Sequence, residues 1–281
     1  MSILQKKIDF ATVVMVNNAN PNGDPLNENR PRITYDGYGE ISDVCIKRKI
    51  RNRLQDMGEK IFVQSNELCD DGFKSLVERA KSNEKLVLAQ KEKNEKAFAE
   101  AACKEWIDVR TFGQVFAFKG DSVSVGVRGP VSIHPAFSVR PVDVESIQII
   151  KSVNSEDKAG RASDTMGMKH RVSSGMYVIK GSISPQLAEK TGFTEEDAEK
   201  VKSALQSLFT GDASSARPEG SMEVVKVFWW KHNNKVGQYS TASVHRSLSI
   251  EELCDEPKYV DDYNITVTPL EGLEVEVVNG V

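Results

Sequence analysis

I-D-F-A-T-V-V-M-V, Ile8 to Val16, runs straight into N-N-A-N-P-N-G-D-P, Asn17 to Pro25, and a basic segment D-V-C-I-K-R-K-I-R-N-R follows from Asp43. The first run is β-branched and apolar, which predicts a buried strand. The second cannot be regular structure, because Asn and Gly tolerate left-handed backbone and Pro removes donors, so a shaped polar loop is expected. Ser42 is a good N-cap for the third, and Asp43 sits where a helix dipole favours negative charge. Ile46, Ile50, Leu54 and Met57 then draw one apolar stripe. Arg48 and Arg51 fall opposite that stripe, with Lys47 and Lys49 on its flanks. A helix anchored on one side and this cationic elsewhere reads as a phosphate-binding face, or as a solvated surface helix. Strand, polar loop, helix is also the order in which an α/β fold presents a site at a strand end.

The surrounding chain fits a soluble globular protein. It has 281 residues, 39% hydrophobic and 28% charged, enough for one large domain or two modest ones. No apolar run approaches a membrane span, and the polar, lysine-bearing start lacks a signal-peptide core. Cys45, Cys69, Cys103 and Cys254 are widely spaced, which points to free thiols in a reducing cytoplasm rather than to structural zinc. The net charge of −4 is not that of a simple nucleic-acid binder. Charge is uneven, however: 46–53 is basic, while 194–199 and 251–262 are acidic. Such a protein can hold a polyanion in one groove and repel it elsewhere.

Beyond the basic helix, 60–105 turns Lys- and Glu-rich with helical spacing, so a mostly helical insertion ending near Trp106 is expected. Asp108–Phe118 and Ser122–Ile133 read as two strands joined by a turn at Lys119-Gly120-Asp121. Gly126, Gly129 and Pro130 predict a bulge there, or the close approach of another chain. Val144–Val153 reads as a strand, Asn154–Gly167 as a long polar loop, and Arg171–Ile183 as a strand again. Met166, Met168, Lys169, His170 and Arg171 close that loop. Methionines beside cations could wedge against bases while the cations hold phosphates. The plainer reading has one methionine capping the core. Thr194 opens a helix that stops at Gly211. In the strand Glu223–His232, Trp229 and Trp230 must face opposite sides, so one indole is expected in the core and one toward a groove or partner.

No catalytic constellation emerges. His134, His170, His232 and His245 form no metal motif, and neither a G-x-S-x-G elbow nor a Walker A loop occurs. Asp24 and Asp164 are the carboxylates in loops with functional character.

Taken together, N-A-N-P-N-G-D-P at Asn18–Pro25, P-R at Pro31-Arg32, D-V-C-I-K-R-K-I-R-N at Asp43–Asn52, D-V-R-T-F-G at Asp108–Gly113, V-R-G-P-V at Val127–Val131 and T-M-G-M-K-H at Thr165–His170 resemble the backbone subunit of CRISPR Cascade. The match is to the subtype I-C members of the Cas family-seven group and runs from about Ile8 to Val275. The resemblance implies an α/β (α+β) fold: a modified RNA-recognition, ferredoxin-like palm. It forms one domain over 1–281, with a helical finger insertion at about 60–105 and a thumb near Val153–Gly175. It implies copies stacked head to tail on CRISPR guide RNA, beside other Cascade subunits, with the guide left free to pair with target DNA. The expected RNA contacts are Asn20, Asn22, Lys47, Arg48, Lys49, Arg51, Arg128, Met166, Met168, Lys169, His170 and Arg171. No enzyme activity, cofactor or metal is expected. The competing reading is an RNA-cleaving subunit using Asp24 or Asp164, as in related backbone subunits of other CRISPR types.

Overall fold

The computed structural model describes residues 2–118, 124–150 and 166–281. Its strands are β1 (Ile8–Ala19), β2 (Gly23–Asp24), β3 (Arg30–Pro31), β4 (Tyr38–Ile41), β5 (Gly113–Phe116), β6 (Val125–Arg128), β7 (Val131–Ile133), β8 (Ala136–Pro141), β9 (Val144–Ile150), β10 (Met166–Ile183), β11 (Met222–Lys231), β12 (Leu248–Glu252), β13 (Tyr263–Val267) and β14 (Val275–Asn279). The helices are α1 (Asp43–Asp56), α2 (Leu76–Lys81), α3 (Glu84–Lys91), α4 (Glu95–Glu105), α5 (Ile107–Phe112), α6 (Pro185–Thr191), α7 (Glu195–Gln206) and α8 (Thr241–Ser247). This is a mixed α/β fold built on a large antiparallel sheet, in the class expected.

The sheet runs β14-β11-β1-β10-β8-β4, with β7 and β9 also pairing β10. The Ile8–Val16 run lies at its centre, between β10 and β11. One face packs on α1, α6 and α7 through Ile46, Ile50, Leu54, Ala188, Val201 and Leu205. The other is covered by α8, β12 and β13 through Val244, Ile250, Tyr263 and Ile265. Trp229 and Trp230 obey the alternation, but each lies in a different core and both are buried. Neither indole therefore faces a groove, because both sides of β11 are roofed.

The insertion is helical as expected, with α2, α3 and α4 around a core of its own: Phe62, Leu86, Phe98, Trp106 and Phe116. Three other expectations are corrected. The first half of 108–118 is a helix, α5, not a strand, since the apolar Ile107 and Val109 each face a core and Gly113, at φ 82°, ends the turn. The second predicted strand splits into β6 and β7. The close approach at Gly129 is real, but it comes from the same chain: a Cβ there would lie 2.3 Å from the Thr111 carbonyl oxygen. The predicted turn at 119–121 lies outside the described residues. Finally, α7 ends at Gln206, short of Gly211.

At the far end of β10, the strand pairs with β9 to make a two-stranded ribbon, from Val172↔Val144 to Met166↔Ile150. Met166–His170 is thus strand rather than loop. The rest of the predicted loop and most of the predicted thumb, with Asp164, fall outside the described residues. Odd-numbered residues from Gly175 to Ile183 are buried, yet further out it is His170 and Val172 that are buried. Alternation therefore shifts by one around Ser173–Ser174, opposite Asn18, whose backbone is left-handed at φ 53°. Val172 consequently joins the helix-side core together with Tyr177.

Candidate nucleic-acid interface

Helix α1 begins as the sequence suggests. The Cys45 amide donates to Ser42 Oγ, and Ser42 itself donates through N and Oγ to Asn22 Oδ1, at 2.9 and 2.7 Å. Asn22 therefore orients the cap that launches the helix. Asn20 is buried and donates to the Asn29 carbonyl at 2.7 Å, closing the hairpin made by β2 and β3. Both amides hold the polar loop in shape.

Within the chain, the cations of α1 are partly or fully covered, and each has a partner of its own. Lys47 pairs with Asp43 on its own helix at 3.0 Å. Lys49 is 5% exposed and bonded to Asp212. Arg48 donates to the Val63 carbonyl at 2.5 Å, and Arg51 pairs with Asp108 at 3.0 Å while lying over the Phe112 ring. Only Val44 and Asp56 on this helix are exposed, because the insertion closes over one flank and the 207–217 segment over another. The helix is more covered than a solvated surface helix. It is the junction where the insertion joins the sheet.

The centre of that junction is Asp108, a residue that the sequence reading left without a role. It is 1% exposed; Oδ1 accepts the Phe62 amide at 2.7 Å, and Oδ2 accepts the Val63 amide and Arg51 Nε, each at 3.0 Å. A second tie joins Arg110 to Asp197 through two bonds of 2.8 and 3.0 Å. Burial alone would raise the Asp197 carboxyl, but Arg110 and the Thr194 cap bring it below its ordinary value. Within the insertion, the bonds from Arg79 hold Asp71 down at about 2. A carboxylate depressed by folding adds stability above its unfolded value of about 3.9 and loses that contribution as pH falls through the folded value. We therefore expect the Asp71–Arg79 tie to lose its modest contribution to the insertion between about pH 4 and 2. Trp106 emission on acid titration checks this, and a signal flat to pH 2 would contradict it.

The ribbon carries the remaining candidates. Met166 is 63% and Met168 51% exposed, beside the exposed Ile147, Ile149 and Ile150. By register, Met166, Met168 and His170 share a face with Ile150, Gln148 and Ser146. Lys169 and Arg171 lie on the other face, where Arg171 pairs with Glu145 at 2.8 Å. His170 is 7% exposed and bonded through Nδ1 to Ser146 Oγ at 2.9 Å. It is thus not placed to grip a phosphate from solvent. Arg128, on β6, is exposed. Asp24 accepts the Leu26 amide at 3.2 Å and lies 3.5 Å from Arg32, so it shapes the hairpin turn. Among the described residues, no group of three or more His, Cys, Asp or Glu side chains is placed to hold a metal, and no helix is long and apolar enough to cross a membrane.

A mixed α/β fold on a large antiparallel sheet is shared with a chain of a solved assembly. A chain of a "CRISPR RNA-guided surveillance complex, pre-nicking" matches this one with a TM-score of 0.50 at 16% identity, over 83% of this chain and 81% of that one, which shows a shared fold. The family model "CRISPR-associated protein Cas7" matches residues 6–268. The chain belongs to the Cas7 family. A curated relative, "CRISPR-associated protein Cas7" of Haloferax volcanii, is 25% identical over 270 residues, covering 89% of this chain and 77% of the relative.

Proposed function

We propose that the protein is a non-catalytic backbone subunit of a CRISPR RNA-guided surveillance complex. In this reading copies stack head to tail along a guide RNA and leave it free to pair with target DNA. The sequence motifs favour subtype I-C and a cytoplasmic setting. The sheet is the palm, the insertion the finger, and the ribbon the base of the thumb. The observation that carries the reading, beyond family membership, is the β9–β10 ribbon. It exposes two methionines and three isoleucines that no core among the described residues uses, next to Lys169 and Arg171.

Stacking and wedging by apolar side chains with phosphate contacts from cations suits single strands bound without sequence preference. Among the described residues, the covered sheet leaves no platform of strand aromatics for bases, and the ribbon and the exposed Arg128 are candidates. The α1 cations enter only through the fold that they hold.

The test is anisotropy with labelled single-stranded RNA across a salt series. Binding should weaken with salt by about 0.7 log units per log unit for each neutralised phosphate. Replacing Met166 and Met168 together by Ala should lower affinity roughly tenfold or more, given about 1–3 kcal/mol for each stacked base, with an unchanged melting temperature. RNA bound equally well by the double variant would remove the ribbon from the interface. Absence of any salt-sensitive binding by the parent would remove the guide-RNA reading itself.

A further inference from the structure

We propose that Arg30, Ser146 and His170 form a latch that fixes the ribbon against the β2–β3 hairpin, which makes Ser146 and His170 positioning residues rather than nucleic-acid contacts. This rests on the guide-RNA reading for its purpose, though not for its existence. Arg30 Nη2 donates to Ser146 Oγ at 2.6 Å, and Ser146 Oγ lies 2.9 Å from His170 Nδ1. Arg30 is on the hairpin, Ser146 on one strand of the ribbon and His170 directly opposite it on the other.

The chemistry of the three groups fixes the direction of the first bond and permits the second. The guanidinium can only donate, so the Ser146 oxygen accepts from it. Its hydroxyl proton and second lone pair let it bond Nδ1 in either tautomer of the ring. Nε2 is buried, with no partner among the described residues. A ring buried and bonded to a serine of its own chain holds the strands rather than reaching out.

A latch is needed at this point. A two-stranded ribbon is marginally stable alone. Every residue of β9 after Val144 is exposed, so nothing among the described residues roofs the outer ribbon. The direction in which Met166 and Met168 project is therefore set at the base, by the cross-strand bond at Ser146↔His170 and its anchor on Arg30.

The test uses the full chain and the variants Ser146→Ala, His170→Gln and His170→Asn. Ser146 is exposed, so its truncation spares the core. An asparagine amide can stand near Nδ1 and a glutamine amide near Nε2, so His170→Asn should rescue what His170→Gln loses. In RNA-free protein, Ser146→Ala and His170→Gln should speed amide exchange at Ile147–Ile149 and Gly167–Lys169 at least tenfold, with His170→Asn close to the parent. Unchanged exchange overturns the latch. With RNA, the same two variants should bind several-fold more weakly at an unchanged salt slope. Faster exchange with unchanged affinity overturns the positioning role. So does a slope reduced by about 0.7 in His170→Gln, the mark of a lost phosphate contact. A parent that binds no RNA ends the guide-RNA reading, and the exchange data still decide the latch.

Discussion

Asp108→Ala should cost about 3–5 kcal/mol and detach the insertion from the sheet, because removing one side of a buried ion pair leaves the other charge without a partner. Arg51 would lose its carboxylate, and the Phe62 and Val63 amides would lose their acceptor at the same time. For a chain of this size the melting temperature should fall by roughly 10 °C. Thermal denaturation followed by circular dichroism measures the loss, and Trp106 emission, inside the insertion core, locates it. A variant melting within a degree or two of the parent would show that Asp108 is not the tie. Lys47→Ala breaks a pair on the helix surface and should cost within about 0.5 kcal/mol. The contrast bears on function. A weakened RNA interaction after Arg51→Ala would report a loosened junction, and only a loss that survives correction for folded fraction would speak for a phosphate contact.

Trp229→Ala should be comparably severe, about 3–5 kcal/mol, as for other buried Trp truncations. The indole stacks on Phe10 at 5.4 Å and 22°, with Lys202 Nζ 5.7 Å from its ring. Trp230→Ala should cost a similar amount from the opposite side, where the ring stacks on Phe228 at 6.1 Å. Chemical denaturation of both variants measures this. If either substitution were close to neutral, that side of β11 would be open, and bases could stack on the sheet after all. Two large losses keep nucleic acid off the sheet and confine it to the periphery.

Local signals carried well from sequence to structure. The apolar run of β1, the Ser42 and Thr194 caps and the helical insertion are written in periodicity and capping chemistry, which act over a few residues. The partners of the α1 cations were hidden for the same reason. Asp212 and Asp108, which neutralise Lys49 and Arg51, are remote in sequence, and nothing near α1 announces them. Strand β10 shows the reverse error. Gly167 and the polar neighbours of Met166 look like loop, but pairing with β9 supplies the backbone partners that extend the strand. His170 looked like a cation for phosphate because the burial that removes it depends on the hairpin and on Ser146. The methionines were legible as unusual, being long apolar side chains among charges.

The offset at Ser173–Ser174 makes the outward arm sensitive to chain length rather than to composition. Deleting Ser173 would roll the arm by half a revolution. The methionines would then look toward the α8 side, and Lys169 and Arg171 would take their place above the helices. No charge or apolar group would be lost, yet the two sides of the arm would trade chemistry.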